Sequence, residues 1–424
     1  MADPDSRMTK QIFTLADAEK LTGPTAFQCM LKPAGSACNL DCTYCYYLDK
    51  ALQYGGREAV MSPDLLELFI RQYIEANEVD TVTFCWHGGE PTLLGLDFYR
   101  RAMVLQRKYA GGKRIENNIQ TNGTLLNREW CDFFAENSFL VGISLDGPQD
   151  IHDAFRKTRG QAPTFKRVIQ SVKMLRAAGV EFNTLSVVNR KCEKRGAEIY
   201  RFFRDEAGSR YMQFLPAVEH VVDKSGFRRP VIVAPETEGA RMAPWSVSTE
   251  GYGRFLCDMF DVWVRSDVGR CFVQIFDATL AGYAGVQPGT CAMAQTCGDQ
   301  LVVEHNGDVY VCDHFVYPGY LLGNIKEKSL REIYDSQKRR NFGLAKRNAL
   351  PDECLRCRFW RLCHGECPKH RFEASEDGSR KNVLCAGFKQ FFGHSEDAFL
   401  YMKERLERHE SPAWVMAWKN RQHK

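Results

Sequence analysis

Short apolar runs alternate with helical patterns along the chain from Phe27 to about Val218, and this alternation constrains the fold more than any other feature. It is typical of a parallel sheet whose strands are joined by helices. Six strands are predicted, at residues 27–31, 81–86, 115–120, 140–145, 180–188 and 211–215, with helices at 62–77, 164–178 and 193–206. Six strand–helix units are too few to close an eight-stranded barrel. The sequence therefore predicts an α/β fold built on an open, partial (β/α)6 barrel.

Three cysteines follow the first predicted strand. They are Cys38, Cys42 and Cys45, in a C-x3-C-x2-C spacing that we call the first cysteine loop. Three thiolates on one short loop can hold three corners of a [4Fe–4S] cube and leave the fourth iron open to another ligand. The alternatives are a C-x2-C zinc pair with a third cysteine beside it, or reduced core thiols. The spacing favours the cluster.

Eight further cysteines form a patterned array near the C-terminus. Cys291-x5-Cys297 is followed by Cys312, and the run Cys354-x2-Cys357-x5-Cys363-x3-Cys367 is followed by Cys385. A zinc-ribbon domain is the alternative to a cluster-binding domain, because four-cysteine zinc sites also use C-x2-C pairs. Thiolates bind either metal, so the sequence alone does not exclude zinc.

Composition excludes several classes of function. The 57 basic residues barely exceed the 53 acidic ones, and no long basic run indicates a nucleic-acid partner. The N-terminus lacks the apolar region of a signal peptide, and no stretch of 18 apolar residues indicates a membrane span. We therefore expect a soluble, cytoplasmic protein without a membrane partner. In a reducing compartment, 17 cysteines indicate metal ligands and a few buried thiols, not disulfides.

The motif Gly88-Gly89-Glu90-Pro91 follows the second predicted strand. Together with the first cysteine loop it resembles the radical S-adenosylmethionine (SAM) family over about residues 27–218, which implies a partial barrel that binds SAM at the open iron. Two glycines would let the backbone approach SAM, and a carboxylate would lie near its ammonium group. The resemblance implies SAM contacts from Tyr44, Gly88, Gly89, Glu90, Ser144, Arg156 and Val218. Without this resemblance, Ser144 would be interpreted as an ordinary hydroxyl on a strand and Arg156 as a solvated charge.

The C-terminal array is similar to the SPASM domain, an extension of peptide-modifying radical SAM enzymes. This resemblance implies two auxiliary clusters, and hence three [4Fe–4S] clusters in all. Ligand set I, for auxiliary cluster I, would be Cys291, Cys297, Cys312 and Cys367. Ligand set II, for auxiliary cluster II, would be Cys354, Cys357, Cys363 and Cys385. Eight ligands saturate two cubes, so both clusters are expected to transfer electrons. The six remaining cysteines are interpreted as core thiols: Cys29, Cys85, Cys131, Cys192, Cys257 and Cys271.

Asp313 directly follows Cys312, and a carboxylate beside a cluster ligand is suited to accept a proton as an electron leaves. Anaerobic sulfatase-maturating enzymes use such an aspartate as their base, and the chain resembles them along nearly its whole length. The resemblance implies oxidation of a sulfatase Cys or Ser, in a C/S-x-P-x-R motif, to Cα-formylglycine. A 5′-deoxyadenosyl radical would remove a Cβ hydrogen, Asp313 would take a proton, and an electron would leave through auxiliary cluster I. Tyr47 is a candidate to position substrate or to assist Asp313; it could equally be an ordinary aromatic at the barrel mouth.

The predicted partners are an unfolded or nascent sulfatase polypeptide and a flavodoxin or ferredoxin as reductant. The predicted division of the chain is an N-terminal extension (1–23), the barrel (24–218), a connecting region (219–285) with a patternless loop or insertion at 220–245, the SPASM domain (286–390) and a helical tail (391–424).

Another SPASM enzyme, forming thioether or carbon–carbon crosslinks on a ribosomal peptide, is the alternative. It usually carries a recognition domain, for which about 25 residues before the first strand are too few. A non-enzymatic metal scaffold would not need the Gly-Gly-Glu-Pro motif.

Overall fold

The computed structural model describes Thr14 and residues 26–54, 60–227 and 229–421. The predicted N-terminal extension lies outside this range apart from Thr14. Six parallel strands form the centre of the largest sheet and neighbour one another in chain order. They are β1 (Gln28–Lys32), β2 (Thr81–Trp86), β3 (Arg114–Thr121), β4 (Leu140–Ser144), β5 (Phe182–Val188) and β6 (Tyr211–Pro216). The six predicted strands are confirmed, with ends that differ by one or two residues.

Helices follow these strands along the chain. They are α1 (Pro63–Ala76), α2 (Gly95–Tyr109), α3 (Arg128–Glu136), α4 (Gln149–Phe155), α5 (Phe165–Ala177) and α6 (Gly196–Arg201), which a π-helical turn (Phe202–Ala207) continues. Helix α1 begins where its sequence signal predicts. The Ser62 side chain accepts a hydrogen bond from the Leu65 amide, and Pro63 takes the first position, where its missing N–H costs nothing. On the buried face of the helix, the Tyr73 ring packs edge-on against Phe84 of β2 at 5.1 Å.

Residues 220–245 form a small second sheet. Strand β7 (His220–Val222) pairs antiparallel with β8 (Val231–Ile232) and with β9 (Arg241–Met242). A patternless loop or insertion is predicted here, whereas the structure contains three short strands. Strands of two or three residues are too short to show a period of two, so their pattern is invisible in the sequence.

The small sheet lies against the first cysteine loop. Buried Val221 and Trp245 belong to one apolar cluster with Leu40 of that loop. The Arg229 guanidinium forms two hydrogen bonds, of 3.0 and 3.1 Å, to the carboxylate of Asp49, just beyond the loop. The stretch 220–245 is therefore part of the wall around the predicted cluster site.

The large sheet continues on both sides of the six central strands. After helix α7 (Thr249–Ser266), strand β10 (Phe272–Val273) adds in parallel to β6, and helix α8 (Gln274–Ala284) follows. Strand β11 (Gln300–Glu304) pairs in parallel with β1, and β12 (Asp308–Tyr310) and β13 (Leu321–Asn324) extend the sheet antiparallel beyond it. Within the described residues the sheet stays open, with β10 and β13 at its edges. The predicted boundaries at 218 and 286 therefore fall inside one continuous sheet.

The rest of the chain is mostly helical. Its elements are α9 (Leu330–Tyr334), α10 (Gln337–Asn348), α11 (Asp352–Leu355), α12 (Trp360–Cys363), the hairpin of β14 (Arg371–Ala374) and β15 (Arg380–Asn382), α13 (Cys385–Glu407) and α14 (Val415–Arg421). Helix α13 packs along α7, so the C-terminal part is attached to the helical layer of the barrel. The predicted boundary at 390 lies within α13. No helix among the described residues is long and apolar enough to cross a membrane.

Candidate active site and cluster sites

The Gly-Gly-Glu-Pro motif holds the backbone that leads into the first cysteine loop. The Gly89 amide donates to the Gly35 carbonyl and the Glu90 amide to the Ala37 carbonyl, both at 2.8 Å. A Cβ atom on Gly89 would lie 2.0 Å from the Ala37 oxygen, which no side chain tolerates. Gly88 has φ +141°, a conformation that favours glycine. Glycine is therefore required at position 89 because this residue lies against the protein's own backbone.

The Glu90 carboxylate is buried at the ends of β2 and β3. One oxygen accepts from the Thr92 amide (3.0 Å), the Thr92 hydroxyl (2.5 Å) and the Thr121 hydroxyl (2.7 Å), and the other accepts from the Asn122 amide (2.7 Å). Burial raises its pKa, while these hydrogen bonds lower it. Its charge also raises the pKa of Cys38 beyond the effect of burial, to about 12. Only the oxygen bound to Asn122 has accepting capacity to spare for an ammonium group.

Tyr44, Asp146 and Arg156 form a buried group beside the first cysteine loop. The Tyr44 hydroxyl donates to the Asp146 carboxylate, whose other oxygen lies 3.0 Å from the Arg156 Nε. The Arg156 guanidinium lies 5.5 Å from the Tyr44 ring centre. Arg156 is therefore a buried ion-pair partner, not a solvated charge. Asp146 is absent from the predicted site; its only sequence signal is its place at the end of a strand.

The two other predicted SAM contacts are Ser144 and Val218. The Ser144 hydroxyl accepts a hydrogen bond of 3.0 Å from the Gln120 side chain on the neighbouring strand. Val218 is fully buried in the main core.

The cysteines occur as three groups of thiols. None of the 17, all of which the structure describes, is in a disulfide. In the first cysteine loop, burial raises the pKa of Cys42, and the charges of Cys45 and Cys38 raise it further, which places the three thiols together. Outside the three groups, Cys85 is partly buried and the five other predicted core thiols are buried.

Ligand set I comes together from three separate segments, because Cys291 and Cys297 lie in one loop. Burial raises the pKa of Cys312, and the charges of Cys291 and Cys297 raise it further. For Cys367, burial and Glu366 raise the pKa, and the three other cysteines of the set add to the shift.

Ligand set II lines a cavity together with Trp360, Phe388 and Phe392. Burial and Glu366 raise the pKa of Cys363 to about 12, and Cys385 and Cys354 contribute to the shift. No three His, Cys, Asp or Glu side chains of the described residues converge as the ligands of one metal ion would. The cysteines of a cubane bind different irons, so they need no such convergence. Clustered thiols without disulfide partners fit iron–sulfur clusters, whose binding displaces the thiol protons.

Asp313 lies in a polar group at the ends of β1 and β2. The Lys32 Nζ lies 2.5 Å from one carboxylate oxygen, and the Tyr46 hydroxyl donates to the other. Lys32 is fully buried and also lies 3.1 Å from the His87 Nδ1. Burial by itself would raise the pKa of Asp313, but the charges of Lys32, His87 and His314 together hold this pKa well below its usual value. Asp313 is therefore ionised at neutral pH.

Tyr47 does not touch Asp313. Its buried hydroxyl donates to the Glu304 carboxylate, and the Lys32 ammonium lies 4.2 Å from its ring centre. Tyr47 thus reaches Asp313 only through Lys32, whereas its neighbour Tyr46 makes the direct contact. Tyr46, Lys32 and His87 are absent from the predicted site. Their only signal is their position, in or next to loops at the carboxyl ends of parallel strands.

A further contact joins this group to ligand set I. The Tyr46 ring lies 5.5 Å from that of His314, whose Nδ1 is 3.7 Å from the Cys367 Sγ. On its other side, Tyr46 lies 5.0 Å from the ammonium of Lys369. The arrangement places an ionised carboxylate between the first cysteine loop and ligand set I.

Known proteins share this organisation. The radical SAM superfamily model matches residues 33–202, and the SPASM iron–sulfur cluster-binding domain model matches residues 291–358. The fold and these two matches define a radical SAM enzyme with a SPASM domain.

Full-length relatives narrow the family. A serine-type anaerobic sulfatase-maturating enzyme of Bacteroides thetaiotaomicron is 48% identical, over 91% of this chain and 94% of the relative. A cysteine-type enzyme of Clostridium novyi is 34% identical, over 89% and 97%. A solved structure of native anSMEcpe with bound AdoMet and the Cp18Cys peptide has a TM-score of 0.77 at 30% identity, covering 90% of this chain and 100% of that one. The chain belongs to the anaerobic sulfatase-maturating enzymes, which confirms the family predicted from its motifs.

Proposed function

We propose that this enzyme oxidises a Cys or Ser of a sulfatase, in a C/S-x-P-x-R motif, to Cα-formylglycine, with Asp313 as the base. The observation that carries the proposal is the placement of Asp313. Its carboxylate is ionised by Lys32, oriented by Tyr46 and adjacent in sequence to Cys312. Relatives of both the serine and the cysteine type, and the peptide held by anSMEcpe, support a polypeptide substrate.

Three [4Fe–4S] clusters and SAM are the proposed cofactors. The first cysteine loop would hold the cluster that binds SAM, ligand set I auxiliary cluster I, and ligand set II auxiliary cluster II. When bound, these groups would supply the 5′-deoxyadenosyl radical that removes a Cβ hydrogen and the acceptor for the electron that leaves the substrate. A flavodoxin or ferredoxin is the proposed reductant.

The protein's own residues have separate tasks in this reaction. Asp313 accepts the thiol or hydroxyl proton of the substrate, and Lys32 keeps it ionised until then. Tyr46 fixes the direction of the carboxylate, because it holds one of the two oxygens. Arg156 and Asp146 form a buried ion pair that orients Tyr44 beside the first cysteine loop. The small sheet at 220–245 shields this side of the loop from water.

The test is an anaerobic assay of the reconstituted, reduced enzyme with SAM and two peptides, one carrying C-x-P-x-R and the other S-x-P-x-R. Formylglycine is measured by mass spectrometry and 5′-deoxyadenosine by chromatography. Asp313→Asn keeps the size of the side chain and removes its charge. Loss of a general base costs about 10²–10⁴-fold in rate, so we expect that loss in formylglycine while 5′-deoxyadenosine is still made.

The matched control is Asp97→Asn, which removes a carboxylate that is 96% exposed on α2 and should change nothing. Wild-type formylglycine yield from Asp313→Asn would refute its role as base. If neither peptide is oxidised by the wild-type enzyme while 5′-deoxyadenosine still forms, the substrate proposal fails and another SPASM peptide modification becomes the better assignment.

A further inference from the structure

The hairpin of β14 and β15 connects the two ligand sets. It starts four residues after Cys367, the last cysteine of set I, and ends shortly before Cys385, the last of set II. Arg371 is the first residue of the hairpin and pairs with Asn382 on the opposite strand. The backbone at Arg371 is therefore tied to the segments of both sets.

The Arg371 side chain is buried, with 8% of its surface exposed. Its Nη2 donates a hydrogen bond to the backbone carbonyl of Lys346. The Lys346 ammonium in turn donates to the backbone carbonyls of Cys291 and Ala292, at 2.6 and 2.8 Å. Its Nε is buried and has no hydrogen-bond partner among the described residues. One donor of a buried guanidinium is thus left available.

Among the described residues, no carboxylate forms an ion pair with Arg371. Glu366 is the nearby acid, but one of its oxygens already accepts from the His370 Nδ1 at 2.7 Å and from the Asn382 side chain. Burial lowers the pKa of Arg371, and the nearby thiols of Cys297 and Cys367 in set I and of Cys354 in set II oppose this shift. A buried cation without a full ion pair is costly, unless a negative group that is absent from the bare chain completes it.

Two [4Fe–4S] clusters would supply the negative charge that pairs with Arg371. Four thiolates give such a cluster a net negative charge, and reduction adds one more. A buried cation and an N–H donor to cluster sulfur both favour the reduced state, because net charge and hydrogen bonds to sulfur set the reduction potential.

We propose that Arg371 is a shared positioning residue of both auxiliary clusters, which donates its Nε–H to a cluster sulfur and raises the reduction potential of each cluster. The inference rests on the proposed function, because it requires both ligand sets to hold [4Fe–4S] clusters. Its consequence is that both clusters readily accept the electron that the substrate loses.

The test is a redox titration followed by EPR, in the full chain with the three cysteines of the first loop changed to Ala, so that only the auxiliary clusters give signals. Arg371→Gln should make reduction of both clusters at least tenfold less favourable, which is about 59 mV for a one-electron couple. Arg371→Lys keeps the charge and should retain most of the potential. Arg380→Gln, an exposed arginine on the same hairpin, is the matched control and should have no effect.

Iron and sulfide analysis separates the possible failures. Two auxiliary clusters with unchanged potentials in Arg371→Gln would overturn the role of Arg371, and a shift of one cluster alone would overturn its shared character. Absence of auxiliary clusters from the wild-type chain would instead overturn the cluster assignment in the proposed function. If Arg371→Gln fails to load iron, the Nε–H donor is tested instead in wild-type protein labelled with ¹⁵N-arginine. A ¹⁵N coupling to the reduced clusters in pulsed EPR supports the Nε–H donor, and its absence refutes it.

Discussion

Replacing Lys32 with Met tests the electrostatic control of Asp313. The ammonium and the carboxylate are 2.5 Å apart, with side chains 0% and 14% exposed. Breaking a buried ion pair by removing one partner costs about 3–5 kcal/mol. At about 1.4 kcal/mol per pKa unit, this corresponds to a rise of about two to four units in the pKa of Asp313. In the variant, the pKa of Asp313 should therefore rise from below the ordinary carboxyl value into the mildly acidic range.

The sign of the pH dependence follows from these directions. In the wild type the pKa of Asp313 is depressed, so its ionised form and its stabilising pairing persist above the ordinary carboxyl pKa and are lost only as pH falls through the lower folded value. In Lys32→Met, protonation begins at higher pH. One pH unit below the new pKa, only about a tenth of Asp313 is ionised, so the rate should fall about tenfold there and recover as pH rises.

The assay is formylglycine formation as a function of pH, with 5′-deoxyadenosine formation as the internal reference. Lys108→Met is the matched control, because Lys108 forms an ion pair of similar length, 2.7 Å, with Glu67 on the surface. Exposed pairs contribute little, so this control should keep the wild-type profile. His87, whose pKa burial and Lys32 lower to about 4, becomes more basic in the variant, so Lys32→Met with His87→Gln gives the cleaner profile. If formylglycine formation by that double variant falls at the same acidic pH as in the wild type, the electrostatic role of Lys32 is refuted.

Three further outcomes are expected. The reconstituted chain should hold about twelve irons, and changing the three cysteines of the first loop to Ala should remove about four of them and abolish SAM cleavage; full iron content with SAM cleavage would contradict the assignment. Cys291→Ala should disturb auxiliary cluster I and Cys354→Ala auxiliary cluster II, and Mössbauer spectra that show the same cluster lost in both would contradict the pairing. Gly89→Ala should disrupt the first cysteine loop and lower cluster loading there, because its Cβ meets the Ala37 oxygen at 2.0 Å. Gly160→Ala should not, because its Cβ would lie at an ordinary contact distance of 3.8 Å from the Thr158 hydroxyl oxygen. Equal iron content and SAM cleavage in both variants would refute the clash.

Local sequence patterns were enough to predict several features of the fold and the site. The alternation of short strand-like runs and helical segments was enough to predict all six central strands, because buried positions recur at every second residue along most of them, as at Val82, Phe84 and Trp86 of β2. The Ser62-Pro63 signal determined the start of α1, because a helix cap acts within one turn. The cysteine spacings and the Gly-Gly-Glu-Pro motif were enough to indicate the family.

Only the tertiary structure decided which side chains meet. Tyr46 and Tyr47 are adjacent and chemically alike, yet one binds Asp313 and the other Glu304, because successive side chains leave the backbone in different directions. Lys32 and Asp313 are 281 positions apart in the sequence and become neighbours only because β11, which precedes Asp313, pairs with β1. In the same way, Arg371 lies near both ligand sets because a hairpin brings together cysteines that are distant along the chain. Such contacts depend on strand pairing and packing, which no local pattern records.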